Sequence, residues 1–78
     1  MALSDLPLAS GADHAKVFCQ CFGWVIRRQG NHITLAHPNN PNCLSIPNHK
    51  EVKRALLHKQ IKLAGRTDQE YRTAFDSL

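Results

Sequence analysis

The sequence is short of everything that would build a metal site, a membrane span or a disulfide framework. It has no Cys-x-x-Cys pair and no His-x-x-x-His pair, the spacings that present two donors to one ion. His32 and His37 stand an odd number of residues apart in a segment with strand character, so they face opposite ways and cannot chelate together. No metal and no cofactor is expected. No run of about 18 apolar residues occurs, which excludes a helical membrane span. The opening "MALSDLPLASGAD" lacks a basic start and a proper apolar stretch, so it does not read as a signal peptide. Residues 1–9 read as a flexible, loosely packed lead-in and residues 10–78 as a single domain. No glycine-rich phosphate loop, nucleophile elbow or paired-carboxylate arrangement is present.

Cysteine is scarce and odd in number, with three in 78 residues. A secreted disulfide scaffold of this size uses an even number. Cys19 and Cys21 are two residues apart in a helical segment and point to nearly opposite sides. All three are expected as reduced thiols in or near the core of a cytoplasmic protein. Acid is also in deficit. Ten Lys and Arg against six Asp and Glu give a net charge of +4 and a pI near 9.3. That surplus fits an anionic partner, either nucleic acid or an acidic protein, and fits a merely basic surface equally well.

Three segments begin like helices. Ser10 with Asp13, Asn48 with Glu51, and Thr67 with Glu70 each have the spacing of a capping box. Val17, Phe18, Cys21 and Phe22 then form an apolar stripe, as do Val52, Leu56 and Leu63 with Leu57, Ile61 and Ala64 beside them. Gly65 closes the second helix, and the short third helix is expected to dock through Tyr71 and Phe75. Between the first two helices the apolar period falls to two. Trp24 to Gln29 and His32 to His37 read as strands joined by a two-residue loop at Gly30-Asn31 that accepts positive φ. "PNNPN" is a turn-rich loop, and Cys43 to Ile46 is a third short strand. The order is α-β-β-β-α with a short extra helix: an α+β fold, a three-stranded antiparallel sheet with two helices on one face.

A two-residue loop pairs Gln29 with His32, Arg28 with Ile33, Arg27 with Thr34 and Ile26 with Leu35. Trp24, Ile26, Ile33 and Leu35 then face the helices, with Arg28 ending that row. Val25, Arg27, Gln29, His32, Thr34 and Ala36 share the open face, where Ser45 from the third strand can join them. His32 is therefore expected to be exposed beside Arg27, Gln29 and Thr34. Such an imidazole moves protons near neutral pH, and guanidinium groups bind phosphate. RNA carries its own nucleophile, the ribose 2′-OH, so this grouping could cleave it without a metal. An ordinary surface histidine has the same appearance. On the second helix Lys50, Arg54, His58 and Lys62 recur every four residues, widened by Lys53 and Lys59. They read as a phosphate-tracking stripe or as a solvated face. His14 and His58 read as helix-surface residues, and His37 as a strand-end residue near Trp24.

Gly23-Trp24, Arg27, Gly30-Asn31-His32, Pro47-Asn48-His49 and Ala64-Gly65 stand in an order and spacing that resemble the HicA family of toxin ribonucleases. The resemblance covers about residues 11–75. It implies a double-stranded-RNA-binding-like fold, cleavage of mRNA by a catalytic histidine that falls on His32, and silencing by a HicB-type antitoxin. The family usually carries Ser where this chain has Asn31, a residue at ease in a turn and able to donate a hydrogen bond. On this reading Arg27, Gln29, Asn31, Thr34, Lys50 and Arg54 contact RNA. His49, also matched by the family pattern, is the first candidate for a second proton-transfer group. The alternatives are a non-catalytic RNA-binding module of the same fold and a basic protein-interaction domain.

Overall fold

A computed structural model of the chain describes residues 3–78. After a 3-10 turn at Leu3–Asp5 come helix α1 (Gly11–Phe22), strands β1 (Val25–Gln29), β2 (His32–His37) and β3 (Asn40–Pro47), and helices α2 (Arg54–Leu63) and α3 (Asp68–Asp76). The strands form one antiparallel sheet in the order β1-β2-β3. The expected α-β-β-β-α arrangement with a short third helix is the one observed. Ile33 and Leu35 of β2 and Leu44 and Ile46 of β3 are buried on one face of the sheet. They meet Phe18 and Val17 of α1, Leu57 and Ile61 of α2, and Tyr71 of α3.

Two helix starts follow their local chemistry. Ser10 Oγ accepts from the Asp13 N–H at 3.1 Å. Thr67 and Glu70 form a full reciprocal capping box, and the Thr67 hydrogen bonds hold the Glu70 carboxyl below the usual carboxylate range. Helix ends follow too. Gly23 (φ 78) and Gly65 (φ 74) adopt the left-handed conformation that terminates α1 and α2. At Gly11 the reason for glycine is steric: an added Cβ would run into the Pro47 carbonyl, because the start of α1 abuts the end of β3.

The third expected helix start fails. Helix α2 begins at Arg54, not near Asn48, and its N-cap Lys53 makes no side-chain capping bond. Asn48 is bound elsewhere, as described below, so residues 48–53 run as irregular backbone with a bend at 49–51. At its other end α2 is capped from β3. The side-chain amides of Asn40 and Asn42 both donate to the Leu63 carbonyl at 3.2 Å. The "PNNPN" segment is thus mostly strand, with a tight turn at Pro38-Asn39 and Asn40 opposite His37.

Of the segment 1–9 expected as a loose lead-in, residues 1 and 2 lie outside the described residues, and the rest is tied down at Asp5, Leu6 and Ala9. Leu6 is fully buried in the core. The Leu6 carbonyl accepts from Arg54 Nε at 2.8 Å, the Asp5 carbonyl accepts from Arg72 at 3.0 Å, and the Ala9 carbonyl accepts from the Val52 N–H at 2.9 Å. Of the cysteines, only Cys19 packs against the core; Cys21 and Cys43 are exposed, against the expectation for all three. Ile26 is also displaced. It pairs with Leu35 as expected, yet it is 39% exposed, on the edge strand of the sheet.

His14 reverses its expected place most completely. It is fully buried, with Nδ1 2.6 Å from the Tyr71 hydroxyl, and among the described residues its Nε2 has no hydrogen-bond partner. Burial lowers its pKa to about 4, against a smaller upward pull from Asp13. Burial likewise pushes the Tyr71 phenol up. The sign for stability follows. Between the ordinary histidine pKa of 6.5 and about 4, the unfolded chain takes up a proton that the folded chain refuses. Thermal melts between pH 7.5 and 5 are therefore expected to show the midpoint falling with pH. In His14→Gln that dependence should be visibly flatter; an unchanged slope would remove His14 as its cause.

Candidate functional site

The outer face of the sheet is built from alternate residues. In β2, Ile33 and Leu35 are buried, which puts His32 and Thr34 on the opposite side. His32 is exposed and Thr34 half-buried. The pairing of Thr34 with Ser45 brings the Ser45 hydroxyl onto the same face.

Register with β1 departs from the simple hairpin. Val25 pairs with Ala36 and Ile26 with Leu35, but the next partners are Arg28 with Thr34 and Gln29 with Ile33. One extra residue, Arg27, is accommodated as a bulge between Ile26 and Arg28. Three residues, Gly30 to His32, therefore separate the last paired positions of the two strands. No residue of the turn has positive φ, and nothing crowds Gly30, so the left-handed two-residue loop is not formed. The shift reassigns the neighbours of His32. Arg28, expected to end the core-facing row, lies directly opposite Thr34 on the outer face. Gln29 moves opposite Ile33. Arg27 stays exposed and lines a shallow hollow with Val25, Ala36, His37 and Pro38, toward the far end of the sheet.

The turn is held from outside the hairpin. The Asn48 N–H donates to the Asn31 carbonyl at 3.0 Å, and the Asn48 side-chain amide donates to the Gly30 carbonyl, also at 3.0 Å. Pro47, the residue before, pairs with His32. Asn48 thus fixes both peptide groups that precede the imidazole. His49 and Lys50 follow at once, both exposed. The His49 carbonyl accepts from the Gly11 N–H at 2.9 Å, tying this corner to α1. His32, Asn31, His49 and Lys50 consequently gather at one end of the sheet, while Lys50 is on a bend rather than on the helix that carries Arg54.

Charge is distributed unevenly. Every acidic residue lies at or before Asp13 or at or after Glu51, so the whole sheet is free of carboxylates. Arg66 and Arg72 are paired with Glu70 and Asp76, at 3.4 and 3.1 Å. Among the described residues Arg27 and Arg28 have no ion pair and remain exposed. The stripe expected on α2 is broken. Arg54 is half-buried with its Nε given to the Leu6 carbonyl, and His58 Nδ1 contacts the Asp68 carboxylate at 2.8 Å. Both side chains hold the fold together. Lys53, Lys59 and Lys62 stay exposed.

His37 is structural as well. Its Nδ1 accepts from the Asn39 N–H and its Nε2 donates to the Phe22 carbonyl, both at 3.0 Å, which fixes the tautomer. Its ring meets Trp24 edge-on at 5.2 Å. The hollow it lines with Phe22, Trp24, Asn40 and Arg66 is the closing corner of the fold. Ser45 and Arg28 are the outer-face residues least visible in the sequence, since each depends on a register that no local spacing dictates. Among the described residues no helix is long and apolar enough to cross a membrane.

The chain is a small α+β domain with one open, carboxylate-free sheet face and an exposed histidine at its rim. The family comparison is specific: residues 11–65 match the model of the HicA toxin of bacterial toxin–antitoxin systems. The chain belongs to the HicA toxin family, and so is a toxin whose context includes an antitoxin partner. No curated protein and no solved structure matches the chain significantly.

Removing the Asn48 side chain tests what holds the turn. One exposed hydrogen bond contributes about 1 kcal/mol, or roughly 4–8 °C in a domain of this size. Asn48→Ala should melt lower by about that much, with faster amide exchange confined to Gly30 through His32. Unchanged exchange in the turn would show that the hairpin holds itself.

Proposed function

We propose that the chain is an endoribonuclease that cleaves mRNA without a metal, with His32 as its general acid or base. The observation that carries the reading is the placement of an exposed imidazole at a pinned turn, on a sheet face that has arginines and no carboxylates. Membership of the HicA toxin family supports it.

The chemistry needs little machinery. The imidazole takes the proton from a ribose 2′-OH, and O2′ attacks the adjacent phosphorus. The bond from phosphorus to O5′ breaks, giving a cyclic phosphate on one side and a 5′-hydroxyl on the other. The protonated imidazole can return its proton to O5′, or a second group can supply it. His49, exposed at the same end of the sheet, is the first candidate for that second role. Asn31 and Thr34 flank His32, and Lys50 stands beside His49; of the other expected RNA contacts, Arg27 lies toward the far end of the sheet and Gln29, opposite Ile33, is turned off the outer face. Arg54, whose Nε is committed to Leu6, is the least available of the expected RNA contacts. A HicB-type antitoxin would silence the toxin by covering this face, and an mRNA substrate would place the protein in the cytoplasm.

Cleavage of RNA in EDTA by wild type and His32→Ala is the direct test. His32→Ala should lose about 10²–10⁴-fold in rate, the usual contribution of a positioned acid or base. Equal cleavage by the two proteins removes His32 from the mechanism, and a wild type silent only in EDTA removes the metal-free reading. Salt-sensitive RNA binding that is unaltered in His32→Ala, with no cleavage by either protein, would favour a non-catalytic RNA-binding module.

A further inference from the structure

Strand register, not sequence proximity, decides which groups surround the histidine. We propose that Arg28, Thr34 and Ser45 form a binding site for a phosphodiester of the RNA, one row away from His32. The proposal rests on the ribonuclease reading for its ligand, and on strand pairing for its geometry. Arg28 pairs with Thr34, and Thr34 with Ser45, so the three side chains form one straight row across all three strands. Directly opposed side chains in such a row stand about 4.5–5.5 Å apart at Cβ. His32 is two residues along the same strand and on the same face, about 6.6–6.8 Å away at the backbone. A guanidinium reaches across that gap easily.

The row has the donors a phosphodiester requires. Arg28 offers a planar fork of N–H groups that fits two phosphate oxygens, and the two hydroxyls add one donor each. No carboxylate on the sheet competes for the guanidinium, and among the described residues Arg28 has no ion pair. Thr34 is half-buried in the middle of the row, between Arg28 and Ser45. Arg27 is the less suitable cation despite its neighbouring number. It sits at the bulge beside the Val25–Ala36 pair, a row farther from His32. The bulge is what turns Arg28 toward the histidine, a known use of such irregularities.

A bulge and two arginines on an edge strand can also serve only to prevent edge-to-edge aggregation. The two roles separate in one experiment. Binding of a short single-stranded RNA is measured with His32→Ala protein, which holds the RNA intact. The same background is compared with added Arg28→Ala, Arg28→Lys, or Lys16→Ala, the last a charge-matched loss on α1. Arg28→Ala should weaken binding about tenfold and reduce the slope of log affinity against log salt by about 0.7, the value of one single-strand phosphate. Arg28→Lys should recover part of the loss, because it keeps the charge but not the fork. Lys16→Ala should change affinity by less than about twofold. In otherwise wild-type protein, Arg28→Ala should slow cleavage with no change in thermal midpoint.

Arg28→Ala binding as the parent does, or losing no more than Lys16→Ala, overturns the site; greater aggregation without loss of affinity assigns Arg28 to edge protection and overturns it too. RNA cleaved normally by Arg28→Ala sinks this site alone. Arg28-dependent binding with no cleavage by wild type sinks the ribonuclease reading alone. Absence of RNA binding by every variant removes both.

Discussion

Two hydrogen bonds from Asn48 to the carbonyls of Gly30 and Asn31 fix the end of the sheet on which the functional account depends. They tie the end of β3 to the turn between β1 and β2. With that turn held at three residues, Arg28 falls on the outer face opposite Thr34, and a bulge at Arg27 returns Ile26 to its place opposite Leu35. A small domain has a thin core and little stability to spare. Positioning an exposed imidazole by backbone hydrogen bonds suits such a scaffold, because it requires no deep cleft. The same corner is braced by α1, through the Gly11 bond to the His49 carbonyl and the close contact of Gly11 with Pro47.

Polar side chains divide into two groups. Those around the helices are consumed by the fold: Arg54 on Leu6, His58 on Asp68, Arg66 on Glu70 and over the Phe22 ring, Arg72 on Asp76 and Asp5, and Asn40 and Asn42 on Leu63. Gln60 reaches across to accept from the Ser45 N–H and so occupies the edge of β3. Those on the outer face of the sheet have far fewer internal partners. No acid lies between Asp13 and Glu51, and the carboxylates of Asp68, Glu70 and Asp76 on α3 take His58, Arg66 and Arg72, away from the sheet. The basic surplus is thereby left where the histidine is.

What was legible in the sequence was local. The caps at Ser10 and Thr67, the helix ends at Gly23 and Gly65, the Tyr71–Phe75 docking pair, the order of elements and the exposure of His32 all follow from residues within a turn of one another. What was not legible depended on partners far along the chain. Asn48 has the spacing of a helix cap, but Gly30 and Asn31 claim it from 18 and 17 residues away, and α2 starts late as a result. His14 has helix-surface spacing, and Tyr71 and the core bury it. Arg54 and His58 have the rhythm of a phosphate stripe, and Leu6 and Asp68 take them out of it. Arg28 and Ile26 were misplaced because a bulge changes the facing of every residue beyond it, and edge position changes burial without changing pattern.

The central claim is therefore a register. Cross-strand nuclear Overhauser contacts between β1 and β2 report it residue by residue in solution. Contacts of Arg28 with Thr34 and of Gln29 with Ile33 are the result the account predicts. Contacts of Arg27 with Thr34 and of Arg28 with Ile33 would place Arg28 in the core-facing row, away from the imidazole, and would contradict it.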